Sequence, residues 1–392
     1  MMAKNSLFAA LALSVLATAP AAHAADPVKI GFITTLSTPA GYLGADQRDA
    51  FLLAMGEEGG KLGGVPVELV VEDDGLKPAS GKQAADRMLQ SGIKLFSGVV
   101  FSNVLGAVAP GVLAADAFYV STNAGPSTFA GKECNKNYFV ASYQNDAFHS
   151  AGGQAANELG YKKVVLLAPN YQAGRDALEG FKRTFKGTVE AEIYTKLDQN
   201  DFSVEMARIR SLAPDAVYQF HPGGAGITFV KQYSNAGLSK TVPLLMPGFS
   251  LDTRMIEATG IAGDRAYLTG IWSTETDTPA SKAFVAAFRK AYNRTPTLYA
   301  QQAYDTAKLI GSGLKAVDGY LTKADAFRAA FKKADFKSIR GDFKFGNNNH
   351  PIQDYYLMQL QRSENGAGPL VPVVVRRVLK DDQDVYAKAC AL

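Results

Sequence analysis

The stretch VKIGFITTLSTPAGYLGADQRDAFLLAMGEE, residues 28–58, decides the reading of the fold. Val28 to Thr35 is rich in β-branched and aromatic side chains and reads as a buried strand. A loop of small and hydroxyl-bearing residues follows, and from Leu43 to Glu58 apolar residues return at helical spacing. Strand, loop and helix in that order open a βαβ unit, the building block of a mostly parallel sheet.

The same rhythm runs outward from this stretch. Strands are expected at Val65–Glu72, Leu95–Val100 and Phe118–Ser121, with helices at Ala79–Ser91 and Val104–Ala115. A second series places strands at Lys163–Ala168, Thr188–Tyr194, Ala216–Phe220, Val242–Met246 and Ala266–Ile271, again alternating with helices. Three helices then follow, at Ser281–Tyr292, Ala300–Val317 and Lys323–Lys333, and two strands, at Tyr355–Gln361 and Val371–Leu379. Asn347–Asn349 reads as a turn and Glu364–Pro369 as a surface hairpin loop. Extended connectors at Tyr138–Tyr143, Ile271–Thr276 and His350–Tyr355 would form a hinge that lets two bodies close on each other. The expected fold is therefore α/β, two doubly wound Rossmann-like lobes joined by a three-strand hinge. Lobe one takes 25–141 plus about 275–353, and lobe two takes 142–274 plus about 354–392.

The first two dozen residues have a different character. Lys4 precedes an uncharged run from Leu7 to Ala17, and Ala22, His23 and Ala24 make a small-x-small processing site. Residues 1–24 are expected to be a secretory signal peptide cleaved before Ala25, which directs the protein to the periplasm. The run is too short for a membrane span, which needs about 20 apolar residues. With 41 basic and 37 acidic residues spread along the chain, no nucleic-acid footprint is present. The only cysteines, Cys134 and Cys390, would enter an oxidising compartment, where a lone pair tends to form one disulfide; two unpaired thiols are the alternative.

In doubly wound lobes ligands bind outside the carboxyl ends of the strands, so the loops there are the places to look. LSTPAGYLG, Leu36–Gly44, offers Ser37, Thr38 and Tyr42. Phe101, Ser102 and Asn103 stand before the helix beginning near Val104. STNAGPS, Ser121–Ser127, packs Asn123, Ala124 and Gly125 where backbone amides can meet an anion without obstruction. Partial positive charge at helix N-termini would let Ser102 and the amides around Ala124 and Gly125 hold a carboxylate without a lysine or arginine. Ser102 reads equally as a plain helix cap, and STNAGPS as an ordinary turn. In the second series Asn170, Tyr171, His221, Phe249 and Trp272 follow strands and offer flat apolar surface with polar tips. Trp272 reads as readily as a packing residue. Asp73 and Asp74 read as turn and cap chemistry.

Enzymatic readings find little support. GEEGGKLGG and GGAG match neither the dinucleotide fingerprint nor the phosphate-cradling loop. GFSLD around Ser250 lacks the closing glycine of a nucleophile elbow. His149, His221 and His350 show no metal-ligand spacing, so no cofactor and no metal are expected and the chain is not read as an enzyme. A regulator or receptor on the same lobes would carry a DNA-binding or membrane module.

Over essentially the whole chain after the leader, the sequence resembles the type I periplasmic binding proteins of the leucine/isoleucine/valine-binding group. The likeness rests on VKIGFITTLSTPAGYLG, VELVVEDDGLKPASGKQAADRML, SGVVFSN, VSTNAGPS, VVLLAPNYQAGRDALEGF, DAVYQFHPGGAGITFVKQYSNAGL and YNRTPTLYAQQAYDTAKLI. It implies a monomeric solute-binding component of an ABC importer that delivers a small carboxylate to membrane permease subunits. It also implies that the loops at Ser102 and at Ala124–Gly125 hold the ligand carboxylate, with tyrosines of lobe two closing over it. Amino-acid-binding members place a glutamate after the strand corresponding to Val242–Met246, where it meets the ligand ammonium. Here that loop reads MPGFSLD, with Phe249 near the glutamate's place and Asp252 one turn beyond. A buried ammonium without a carboxylate partner is costly, so the departure favours a flat apolar acid such as a benzoate or hydroxycinnamate derivative. A branched-chain amino acid or short amide is the alternative.

Overall fold

A computed structural model describes residues 26–363 and 368–392. The leader expected at 1–24 and residues 364–367 of the expected hairpin loop lie outside the described residues.

The first sheet contains β1 (Val28–Thr34), β2 (Lys61–Leu62), β3 (Val65–Asp73), β4 (Leu95–Gly98), β5 (Phe118–Ser121) and β6 (Tyr138–Val140), in the order β2-β3-β1-β4-β5-β6. All pair in parallel except β2, which pairs antiparallel with β3 at the edge. The helices α1 (Gly41–Gly56), α2 (Pro78–Gln90) and α3 (Ser102–Ala114) alternate with these strands. Side chains of β4 and β5 are buried throughout, which is why these segments are continuous apolar runs rather than alternating ones.

The second sheet repeats the plan. It holds β7 (Lys163–Pro169), β8 (Thr188–Thr195), β9 (Ala216–Gln219), β10 (Leu244–Pro247) and β11 (Tyr267–Gly270), parallel in the order β8-β7-β9-β10-β11. Its helices are α4 (Asn145–Glu158), α5 (Gln172–Thr184), α6 (Ser203–Leu212), α7 (Gly224–Asn235) and α8 (Thr253–Thr259). In each sheet the first strand lies inside, β1 between β3 and β4 and β7 between β8 and β9. The chain therefore reverses its direction of winding there, and the two strands diverge into loops that leave a crevice at their carboxyl ends.

The rest of the chain serves both sheets. Helices α9 (Pro279–Tyr292), α10 (Leu298–Ala316) and α11 (Ala324–Lys333) return to the first, where α10 packs along α1 and over β2, β3 and β5. Strands β12 (Lys344–Phe345), β13 (Pro351–Arg362) and β14 (Leu370–Asp382) then extend the second, β13 antiparallel to β11 and β14 antiparallel to β13. Among the described residues no helix is long and apolar enough to cross a membrane.

Two expected connectors are partly strand. Tyr138, Phe139 and Val140 are buried beside β5 and pair with it, and Pro351–Tyr355 begins the long strand β13. The connectors are tied by one buried side chain. Arg340 donates from Nη2 to the Ala141 carbonyl at 2.5 Å and from Nη1 to the Ser142 carbonyl and Gln353 Oε1, both at 2.8 Å. Its Nε meets Asp305 Oδ2 of α10 at 3.2 Å. Cys134 and Cys390 form a disulfide with Cα atoms 5.7 Å apart, which fastens the last residues to the loop before β6.

Candidate functional site

Loops from the carboxyl ends of both sheets enclose a small, nearly filled cavity, with about 20 Å³ open to the centre of a water molecule. Val100–Ser102 after β4, Asn123 after β5, and Tyr143 and Asn145 after β6 form one side. Tyr171 and Ala173 after β7, Phe220 and Pro222 after β9, and Phe249 after β10 form the other, and Tyr299 closes it from the first turn of α10. Larger hollows, such as that of about 490 Å³ bordered by Tyr161, Val242 and Tyr267, lie at the amino ends of β10 and β11, away from both crevices.

The turn that delivers Val100–Ser102 is tight. Gly98 has φ +92° and Val99 φ +58°, a left-handed conformation that costs a β-branched residue about 1–3 kcal/mol and that its full burial enforces. Gly125 is fixed by proximity instead. A β-carbon there would lie 2.0 Å from the Tyr143 carbonyl oxygen, so only glycine allows the two loops to meet.

The walls are aromatic. Phe249 stacks on Tyr143 at 5.1 Å between ring centroids and packs on Phe148 at 4.4 Å and Phe220 at 5.7 Å. Tyr171 lies 6.2 Å from Phe220 and 6.3 Å from Phe101. No Asp, Glu, Lys, Arg or His of the described residues lines the cavity. Burial pushes the Tyr143, Tyr171 and Tyr299 phenols far above their ordinary range, so all three are neutral. The Tyr143 hydroxyl donates to Asn123 Oδ1 at 3.1 Å, whereas those of Tyr171 and Tyr299 make no hydrogen bond among the described residues.

Polar groups collect on the first sheet's side. The backbone N–H groups of Ser102 and Asn103, in the first turn of α3, and that of Ala124 donate to nothing among the described residues. Ser102 Oγ accepts from Asn145 Nδ2 at 3.2 Å, which leaves its own O–H to donate. Unspent N–H donors at a helix N-terminus beside a hydroxyl suit an anion with no cation present. The Gly125 N–H is already used, on Asn145 Oδ1 at 3.1 Å.

Residues 27–367 match the family described as periplasmic binding protein. The chain belongs to that family. A solved solute-binding protein of an ABC transporter from R. palustris, in complex with benzoate, superposes with a TM-score of 0.87 at 31% identity, covering 93% of this chain and all of that one. Another from R. palustris, in complex with 4-hydroxybenzoate, gives 0.83 at 27% identity over 92% of this chain and 99% of that one. Among curated relatives, Leu/Ile/Val-binding protein homolog 6 of Brucella melitensis is 29% identical over 368 residues, 91% of this chain and 93% of the relative. The protein is thus a type I periplasmic binding protein, the solute-binding part of an ABC transporter, in a family that is periplasmic and works in transport.

Of the residues singled out from the sequence, this periplasmic binding protein brings Phe101, Ser102, Asn123, Tyr171 and Phe249 to the cavity, with Ala124 and Gly125 directly behind Asn123. The others stand elsewhere. Ser37 is exposed, its N–H held by Asp73, and Asn170 is exposed and bonded to Arg175. Tyr42 donates to Asp252 Oδ2 at 2.9 Å and carries Arg254 over its ring. Asn103 turns aside from Ser102 along α3, as adjacent helical residues must. His221 is sealed between Thr195 and Gln219, with burial lowering its pKa to about 3, so it is a neutral structural residue. Trp272 donates to Ser281 Oγ at 2.8 Å and packs on Phe284. Asp252 does not enter the cavity either. It caps α8 by accepting from the N–H groups of Arg254 and Met255.

Tyr143, Asn145, Phe220 and Tyr299 were not singled out from the sequence. Tyr143 and Asn145 fall in or beside a segment read as a connector, and Phe220 at the end of a strand. Tyr299, in the first turn of a helix well downstream of the other lining residues, had only YNRTPTLYAQQAYDTAKLI to mark it.

Proposed function

We propose that this binding protein captures a small aromatic carboxylate, a benzoate or hydroxybenzoate, and hands it as a monomer to a membrane permease. The observation that carries the reading is a small cavity walled by aromatic rings and lined by no charged side chain among the described residues, with the free backbone amides and the Ser102 hydroxyl gathered on one side. So little free space means that the loops and rings must part to admit one ring bearing one carboxylate, as opening of the two lobes would allow. The carboxylate would lie on the amides of Ser102, Asn103 and Ala124 and the Ser102 hydroxyl, and the ring among Phe101, Tyr143, Tyr171, Phe220, Phe249 and Tyr299. An α-amino acid would bring an ammonium for which the cavity supplies no carboxylate, a large desolvation penalty. The benzoate and 4-hydroxybenzoate complexes of the two R. palustris proteins support the same ligand class.

In this reading the lobes are 25–141 plus about 275–353 and 142–274 plus about 354–392, and closure is a rotation about the connectors that Arg340 ties. Residues 1–24 would direct export. The test is a thermal-shift panel on protein unfolded and refolded to strip carried ligand, with benzoate, 4-hydroxybenzoate, leucine and urea. A ligand that binds only the native state raises Tm by mass action. Stabilisation by the aromatic acids and not by leucine is expected; stabilisation by leucine alone overturns the ligand class.

A further inference from the structure

Beside the cavity lies a buried carboxylate that no ligand contact requires. Asp176, on α5, is 4% exposed. Its Oδ1 accepts from Ser127 Oγ at 2.7 Å and Gln172 Nε2 at 2.8 Å, and its Oδ2 accepts from the Ser127 N–H at 3.2 Å and Asn145 Nδ2 at 2.9 Å. Simple electrostatics makes an acidic group a poor neighbour for an anion site, so its presence there needs a reason.

The reason is in the hydrogen-bond directions. A backbone N–H can only donate, so the bond from the Gly125 N–H fixes which end of the Asn145 amide is oxygen. Asp176 holds the other end, accepting one of the two Nδ2 hydrogens, and the second hydrogen then points at Ser102 Oγ. Ser102 is forced to accept from Asn145, and its single O–H is left for the cavity. We infer that Asp176 and Asn145 are positioning residues that set the polarity of the Ser102 hydroxyl, making it a donor toward a ligand carboxylate. Asp176 also engages Ser127, on the short 3-10 turn after β5, so the same carboxylate fastens the α5 side to the first sheet's loops.

The inference rests on the cavity being a carboxylate site, and the test separates the two. Calorimetry on the full protein compares benzoate with the neutral isostere benzamide. Removing a negative charge near an anion should, by charge alone, tighten benzoate binding. The relay gives the opposite sign: D176A, which removes the acceptor that holds Asn145, weakens benzoate about tenfold, the order expected for one charge-assisted hydrogen bond, and cuts the benzoate-over-benzamide preference by about the same factor. S102A does likewise, and D176A in the S102A background reduces the preference no further. S127A, which loosens only the fastening, weakens both ligands equally. Should D176A not fold, D176E shifts the carboxylate while keeping its charge and should lower the preference as well. A preference unchanged or raised in D176A overturns the relay. If the wild type takes leucine instead of benzoate, the ligand class fails, and leucine against leucinamide decides the relay in the same way. A wild type that binds no carboxylate overturns both.

Discussion

Replacing Phe249 by alanine separates a ligand wall from a piece of core. Phe249 is 2% exposed and touches Phe148, Tyr143 and Phe220 at centroid distances of 4.4, 5.1 and 5.7 Å. Truncating a buried phenylalanine costs about 3–5 kcal/mol. Here the lost ring opens into an existing cavity, so neighbours gain no packed surface by relaxing, and a loss of about 3 kcal/mol or more is expected in chemical unfolding. The ligand loses a ring–ring contact worth about 1 kcal/mol and about 40 Å² of apolar burial worth about another 1 kcal/mol. A loss of about 2 kcal/mol is about thirtyfold in affinity. Calorimetry with benzoate on folded F249A should show that loss. Stability lowered as expected with benzoate affinity unchanged would refute the reasoning, because Phe249 would then be core alone and the ligand would sit elsewhere.

Other perturbations read the frame around the site. R340L leaves the wholly buried Asp305 without its cation and should cost about 3–5 kcal/mol in urea unfolding, with R340L/D305L recovering much of it. Reducing Cys134–Cys390, or the double serine variant, should lower stability by about 2–5 kcal/mol, since a closure spanning 256 positions restricts the unfolded chain strongly. Burial raises the Asp252 carboxyl to about 7, against about 4 in an unfolded chain. The native state therefore binds that proton more tightly, and the contribution of Asp252 to stability falls as pH rises from about 4 to 7. Because an asparagine side chain can still cap α8, the stability of D252N relative to wild type should rise across that window and level off above it in pH-dependent thermal unfolding.

The fold was legible because the inner strands of both sheets, such as β4, β7, β9 and β10, are buried on both faces and so write continuous apolar runs, while the edge strand β8 alternates exposed and buried residues. The third strand of the hinge was harder. His350–Tyr355 carries a proline and a histidine and reads as a connector, yet Pro351 can open β13 because the first residue of a strand need not donate. Ser102 and Phe249 could be placed because each follows a strand directly, and loops at strand ends are where the fold brings ligands. His221 occupies the same kind of position, but Thr195 and Gln219 claim both ring nitrogens, and a side-chain partner 26 residues away leaves no local trace. Asn145 shows the converse. Its role depends on Gly125, Ser102 and Asp176, which only the tertiary structure assembles.

Titration calorimetry of the stripped wild-type protein with benzoate, and in parallel with leucine, tests the central claim most directly. One benzoate bound per chain, with no heat from leucine, is the expected result. Leucine binding one to one while benzoate gives no heat would contradict the reading of the cavity and leave the family standing.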